Sequence, residues 1–102
     1  MGYLAPEYTT TGRFTEKSDV YAFGMIVLQI LSGKRNITAM IRQAVESCKV
    51  ELFIDAKLEG KYSESEAAEL GKLALLCTHE SPSQRPTMET VLQEIGGFTV
   101  AS

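Results

Sequence analysis

The side chains of this sequence that are suited to chemistry stand apart from one another. Thr9, Thr10 and Thr11 form a run of hydroxyls that could accept phosphate, although hydroxyls in a polar loop ordinarily serve only solubility. His79 has no second ligand close in sequence, and a lone imidazole reads as a surface or helix-end residue rather than a metal site. Cys48 and Cys77 make neither a ligand cluster nor a disulfide framework, and read as reduced thiols of an intracellular protein. Asp19 opens a long apolar segment, where a helix dipole would stabilise its carboxylate. Gly2, Gly12, Gly24, Gly33 and Gly60 stand singly, so none builds a loop that cradles phosphate. These residues predict no catalytic, cofactor-binding or metal-ligating set.

The chain that must position them has 102 residues, enough for one domain and too few for two. Its hydrophobic content of 44% suits a globular protein and exceeds that of a disordered one. A net charge of -3 with scattered Lys and Arg gives no reason to expect nucleic acid or an anionic membrane as partner. No secretory signal opens the chain. Gly2 is followed by Pro6 where myristoylation wants Ser or Thr. The apolar run from Met25 to Leu31 is broken by Gln29 and falls far short of the roughly 18 residues of a membrane span. The expectation is a soluble chain with no address label.

Periodicity and punctuation predict an all-α architecture of about four helices around a central buried helix, with no strand pair. Pro6 suits the first position of a helical turn, and Thr9 to Arg13 reads as a loop. The central helix is expected from near Ser18 to Ser32, capped by Thr15 or Ser18 and closed by Gly33. It has almost no polar face, which in a short soluble chain demands an explanation. A second helix is expected from Asn36 to about Leu52, capped by Thr38 or Asn36, with a loop from Phe53 to Tyr62. A third follows Ser63, where Ser63 and Glu66 have capping-box spacing, and ends before Ser81-Pro82. The fourth is expected from Arg85-Pro86-Thr87 to a stop at Gly96-Gly97, leaving residues 96–102 as a frayed tail.

Three segments together carry a family likeness. Gly2-Tyr3-Leu4-Ala5-Pro6-Glu7-Tyr8 contains Ala-Pro-Glu. Lys17-Ser18-Asp19-Val20-Tyr21-Ala22-Phe23-Gly24 opens the apolar helix, and Ala74-Leu75-Leu76-Cys77 precedes Pro82-Ser83-Gln84-Arg85-Pro86-Thr87-Met88. In order and spacing they resemble a protein kinase from the end of the activation segment to the last helix of the C-terminal lobe, and among kinases the plant receptor-like, Pelle-related serine/threonine group. The resemblance covers nearly the whole chain, with residues 1–95 as a partial kinase domain.

The resemblance implies structural rather than catalytic roles. Ala5, Pro6 and Glu7 would be the Ala-Pro-Glu motif, with Glu7 in a buried ion pair with Arg85, whose planar fork suits a carboxylate. Two solvated charges far apart are the alternative. Asp19 matches the aspartate that accepts amides of the catalytic loop; with no such loop in these residues, only its helix-dipole role is left. Gly24 would mark a close helix approach. Gly2, Tyr3 and Leu4 match the loop that positions substrate, or else form a plain surface turn.

Equally informative are the kinase parts that the 102 residues do not contain: a Gly-rich loop, a Val-Ala-Ile-Lys strand, His-Arg-Asp with its Asn, and Asp-Phe-Gly. The resemblance therefore implies a truncated kinase-like lobe, inactive alone, with ATP and magnesium belonging only to the parent family. Residues from one exon of a longer chain would give the same sequence. The bare side that truncation leaves on the central helix implies protein partners, either kinase-domain elements or a second copy; the alternative is a helical interaction module that binds full-length kinases or competes with them for partners. The parent family sits in the plasma membrane with its kinase domain inside, so the cytoplasm is expected.

Overall fold

The computed structural model describes residues 5–7, 12, 15–58 and 62–101. Among them are five helices and no strand: α1 Glu16–Ser32, α2 Ala39–Glu46, α3 Val50–Phe53, α4 Glu64–Cys77 and α5 Met88–Ala101. Pro6 and Glu7 form a short helical turn ahead of them.

The central helix begins at Glu16, two residues before Ser18, because Thr15 and Ser18 cap it reciprocally. The Thr15 amide donates to Ser18 Oγ at 3.1 Å while the Thr15 hydroxyl accepts from the first turn. It ends at Gly33, whose φ of 69° is the left-handed cap and whose amide donates to Gln29 O at 2.8 Å. The Asp55 amide then donates to Leu31 O at 2.7 Å, which draws the α3–α4 connection back to the end of α1.

α1 packs mainly along α4, and α2 and α3 cover the same side of α4. Val27, Leu28 and Leu31 of α1 meet Ala44 and Val45 of α2, Val50 and Phe53 of α3, and Ala67 and Ala74 of α4. A second cluster joins Val20, Leu73, Cys77 and Val91, and Phe23 and Leu70 touch both. Side chains of this size stabilise by about 1.5–3 kcal/mol each when fully buried, so this seam supplies most of the cohesion.

Three expectations about the helices need correction. The segment from Asn36 to Leu52 is two helices, because Cys48 adopts φ 59° and the amides of Ser47, Cys48 and Lys49 turn back onto Gln43, Val45 and Ala44. The apolar period continued across that break, so the turn was invisible in the pattern. The expected loop after Phe53 contains a 3-10 turn, Ala56–Leu58, whose Lys57 amide is held by Asp55 Oδ1 at 3.0 Å. The last helix starts at Met88 and passes through Gly96-Gly97 to Ala101; glycine lowers helix propensity by about 1 kcal/mol without forbidding the helix.

The central helix does have the bare side expected of it. Val20, Gly24, Val27, Leu28 and Leu31 are buried, but Ile26 is 41% and Ile30 68% exposed, along one flank with the exposed Asp19.

Candidate functional site

The chain between α4 and α5 is built to present one arginine. α4 stops at Cys77; the Thr78 hydroxyl donates within hydrogen-bonding reach of Ala74 O and Leu75 O, both at 3.1 Å. The Ser81 amide donates to His79 Nδ1 at 3.0 Å, and Pro82–Gln84 close a 3-10 turn that ends with the Arg85 amide on Pro82 O. This leaves the carbonyls of His79 and Glu80 directed at the Arg85 guanidinium.

Arg85 is 2% exposed and every one of its five N–H groups has an acceptor. Nε donates to His79 O at 2.7 Å, Nη1 to Lys17 O at 2.9 Å and Nη2 to Glu80 O at 3.4 Å. The two remaining donors grip Glu7 end-on, Nη1 to Oε2 at 2.8 Å and Nη2 to Oε1 at 2.9 Å. Lys17 Nζ donates to Arg85 O, so the two residues hold each other's carbonyls. The guanidinium carbon lies over the ring of Tyr21, 4.9 Å from its centroid, a cation–π contact.

Glu7 also accepts from Ser18 Oγ at 3.0 Å, which makes the helix cap of α1 part of the same network. The hydrogen bonds from Arg85 hold the Glu7 carboxyl at about 2, below its usual 4.5, against a desolvation that pushes the other way. A carboxylate held this far down and an arginine with no lone pair cannot exchange protons near neutrality. The arrangement is therefore a clamp, and its chemistry is to bind two distant parts of the chain, 78 residues apart, into one unit.

Of the residues singled out in the sequence, the structure brings together Glu7 and Arg85, with Ala5 buried beside them at 2% exposure and Pro6 in the same turn. Asp19 stands outside this network, exposed, in the first turn of α1 and without a side-chain hydrogen bond among the described residues. Gly24 lies where α1 crosses the end of α4: a methyl there would come within 2.7 Å of Cys77 Cβ and 2.8 Å of Ala74 O. Gly2, Tyr3, Leu4 and the three consecutive threonines lie outside the described residues.

Lys17, Ser18 and Tyr21 belong to the clamp although sequence reasoning gave them no part in it. Only Ser18 left a signal, its capping distance from Thr15. Cys77 is buried, and that burial pushes its thiol up to about 11, which disfavours the thiolate near neutral pH, whereas Cys48 is exposed. No group of three or more His, Cys, Asp or Glu suited to a metal occurs among the described residues, and no helix there is long and apolar enough to cross a membrane.

Comparison with known proteins gives one consistent answer. The family profile described as protein tyrosine and serine/threonine kinase matches residues 1–95. A probable LRR receptor-like serine/threonine-protein kinase of Arabidopsis thaliana is 39% identical over 95% of this chain, which spans 11% of that protein. An inactive protein kinase of Selaginella moellendorffii is 38% identical over 99% of the chain, which spans 20% of it. In three dimensions the chain superposes with TM-score 0.86 and 27% identity on the pseudokinase domain of BIR2, described as an immune regulator of the RLK/Pelle family. That match covers 99% of this chain and 34% of the pseudokinase chain.

Proposed function

The chain belongs to the protein tyrosine and serine/threonine kinase family, and we propose that on its own it is the anchoring part of a receptor-like kinase C-terminal lobe and carries out no phosphoryl transfer. The observation that carries this function is the Arg85 clamp, in which all five donors are engaged in holding the Ala-Pro-Glu turn against the α4–α5 junction. Phosphoryl transfer is positioning and charge stabilisation around a nucleotide, and it requires a phosphate cradle, magnesium ligands and a group that orients the acceptor hydroxyl. The 102 residues contain none of the corresponding motifs. A longer polypeptide would draw ATP, magnesium and catalysis from residues outside these, and would place this lobe in the cytoplasm. The test is direct. Purified 102-residue chain mixed with radiolabelled ATP, magnesium and a serine/threonine peptide should give no label above the blank; transfer that persists at constant specific activity through repeated purification overturns the proposal.

One observation favours a second function, that of a helical interaction module. Ile26 and Ile30 form an apolar flank on a helix whose other side is the core of the fold, and such a flank fits kinase-domain elements or a second copy. Sedimentation and pull-down with intact receptor-like kinases should show association that Ile26→Ser with Ile30→Ser removes. A monomer with no dye-binding apolar surface and no recovered kinase rejects this function and leaves the first untouched.

A further inference from the structure

The only histidine of the chain stands at the base of the clamp. His79 follows Thr78, the cap of α4, and gives two acceptors to the turn that presents Arg85. Its carbonyl accepts from Arg85 Nε at 2.7 Å, and its ring Nδ1 accepts from the Ser81 amide at 3.0 Å. The ring thereby closes a small loop over Glu80, whose carbonyl accepts from Arg85 Nη2 at 3.4 Å. One side chain sets the direction of two of the carbonyls that hold the buried guanidinium.

That contact fixes the ring's charge state. An amide only donates, so Nδ1 must keep its lone pair, and the ring is neutral with its proton on Nε2. A proton on Nδ1 turns the acceptor into a donor and sets N–H against N–H. The Ser81 amide has no second acceptor among the described residues. The charged ring, in contrast, has other partners within its own cleft. His79 shares a cavity of about 340 Å³ with Arg42 and Glu46 of α2, Leu75 and Thr78 at the end of α4, and Glu80. Glu46 and Glu80 are exposed carboxylates that attract an imidazolium; Arg42 repels it but is drawn to Thr78 Oγ1. Leu75 and Thr78 add no charge, and Arg85 is already compensated by Glu7.

We propose that His79 is a proton-operated latch on the clamp. Neutral, it holds the turn through which the His79 and Glu80 carbonyls grip Arg85; protonated, it releases the Ser81 amide and those carbonyls slacken on the guanidinium. Histidine is the side chain that ordinarily changes charge between about pH 5 and pH 8. Glu7, held at about 2, stays ionised throughout that range, so mild acid works the latch without touching the fork. The inference rests on Arg85 acting as a clamp and is independent of whether the chain transfers phosphate.

The test is nitrogen-15 NMR of the full chain between about pH 8 and pH 5, reading the Ser81 amide and the Arg85 Nε–H. In the unaltered chain both signals should move together with the His79 ring. Protection of the Arg85 Nε–H from solvent exchange should fall roughly threefold or more at the acid end, the scale of one lost hydrogen bond. His79→Asn places a non-titrating oxygen as many bonds from the backbone as Nδ1, and asparagine commonly accepts from the amide two residues on. This variant should stay protected at every pH, whereas His79→Ala should show the lowered protection at every pH. Far-UV circular dichroism checks that both variants, altered at an exposed position, keep their helices. An Arg85 Nε–H unmoved while the ring titrates, a pH response that persists in His79→Asn, or full protection in His79→Ala overturns the proposal. An Arg85 Nε–H unprotected at the alkaline end in both the unaltered chain and His79→Asn overturns the clamp itself, and the latch with it.

Discussion

Arg85 and Arg42 both hold the end of α4, and they do so by different means. Arg85 is buried, with a carboxylate on its fork and backbone carbonyls on its other donors. Arg42, half-buried on α2, donates to Thr78 Oγ1 at 3.1 Å and to Met25 Sδ at 3.7 Å, and no carboxylate reaches it among the described residues. The difference follows from what each must hold. Arg85 joins segments far apart in sequence and is taken out of water, so it needs full charge compensation. Arg42 only steadies two helices already packed through apolar side chains, and water at its open side supplies the rest of its solvation.

The sharpest way to break this contrast is to remove the buried fork. Arg85→Ala should lower the unfolding free energy by about 3–5 kcal/mol, because Glu7 is left without its partner and the His79, Glu80 and Lys17 carbonyls lose a donor. Arg85→Lys keeps the charge but cannot grip both Glu7 oxygens, and should recover only part of that loss in urea titration. Next in size is an acid effect confined to the clamp. The Glu7 carboxyl is held at about 2 against its ordinary 4.5, so the folded protein releases this proton more readily than the unfolded chain. Its contribution is complete above about pH 4.5 and disappears as the pH falls towards 2. Glu7→Gln should flatten that limb of a stability–pH curve; an unchanged curve would show that the clamp is not what acid breaks.

Gly24→Ala separates the two arginines. The added methyl runs into Cys77, Ala74 O and Thr78 Cγ2, and overpacking of this kind costs about 1–3 kcal/mol. Because Thr78 is the partner of Arg42 and not of Arg85, chemical shifts should move at Arg42 and stay near native at Glu7. The smallest effect is expected of Arg42→Ala, about 1 kcal/mol by thermal melting, because its charged hydrogen bond to Thr78 is half open to water, which screens it. A loss as large as that of Arg85→Ala would erase the distinction between them.

Much of the fold was legible because its signals are local. Thr15 with Ser18, Ser63 with Glu66, and Gly33 mark helix ends through side chains and backbone angles within one turn of the chain. The break at Cys48 was not legible, since no Gly, Asn or Pro announces it and the apolar period of Ile37, Met40, Ile41, Ala44 and Val45 runs up to it unchanged. Gly96-Gly97 misled in the opposite direction, a weak helix former that the helix simply absorbed. In the site, Glu7 and Arg85 were picked out by motif resemblance, but Lys17 and Tyr21 were not, because a carbonyl held at long range and a ring under a guanidinium leave no pattern in spacing.

The sequence by itself determined the capping residues of the α1 and α4 helices, which faces are apolar and to which family the chain belongs, for these follow from residues read a few positions at a time. Only the tertiary structure decided that five donors of one arginine all find acceptors, that α1 keeps an uncovered apolar flank and that α2 and α3 enclose a groove. Such features depend on distances between atoms remote in the chain, and those are fixed by packing rather than by local preference.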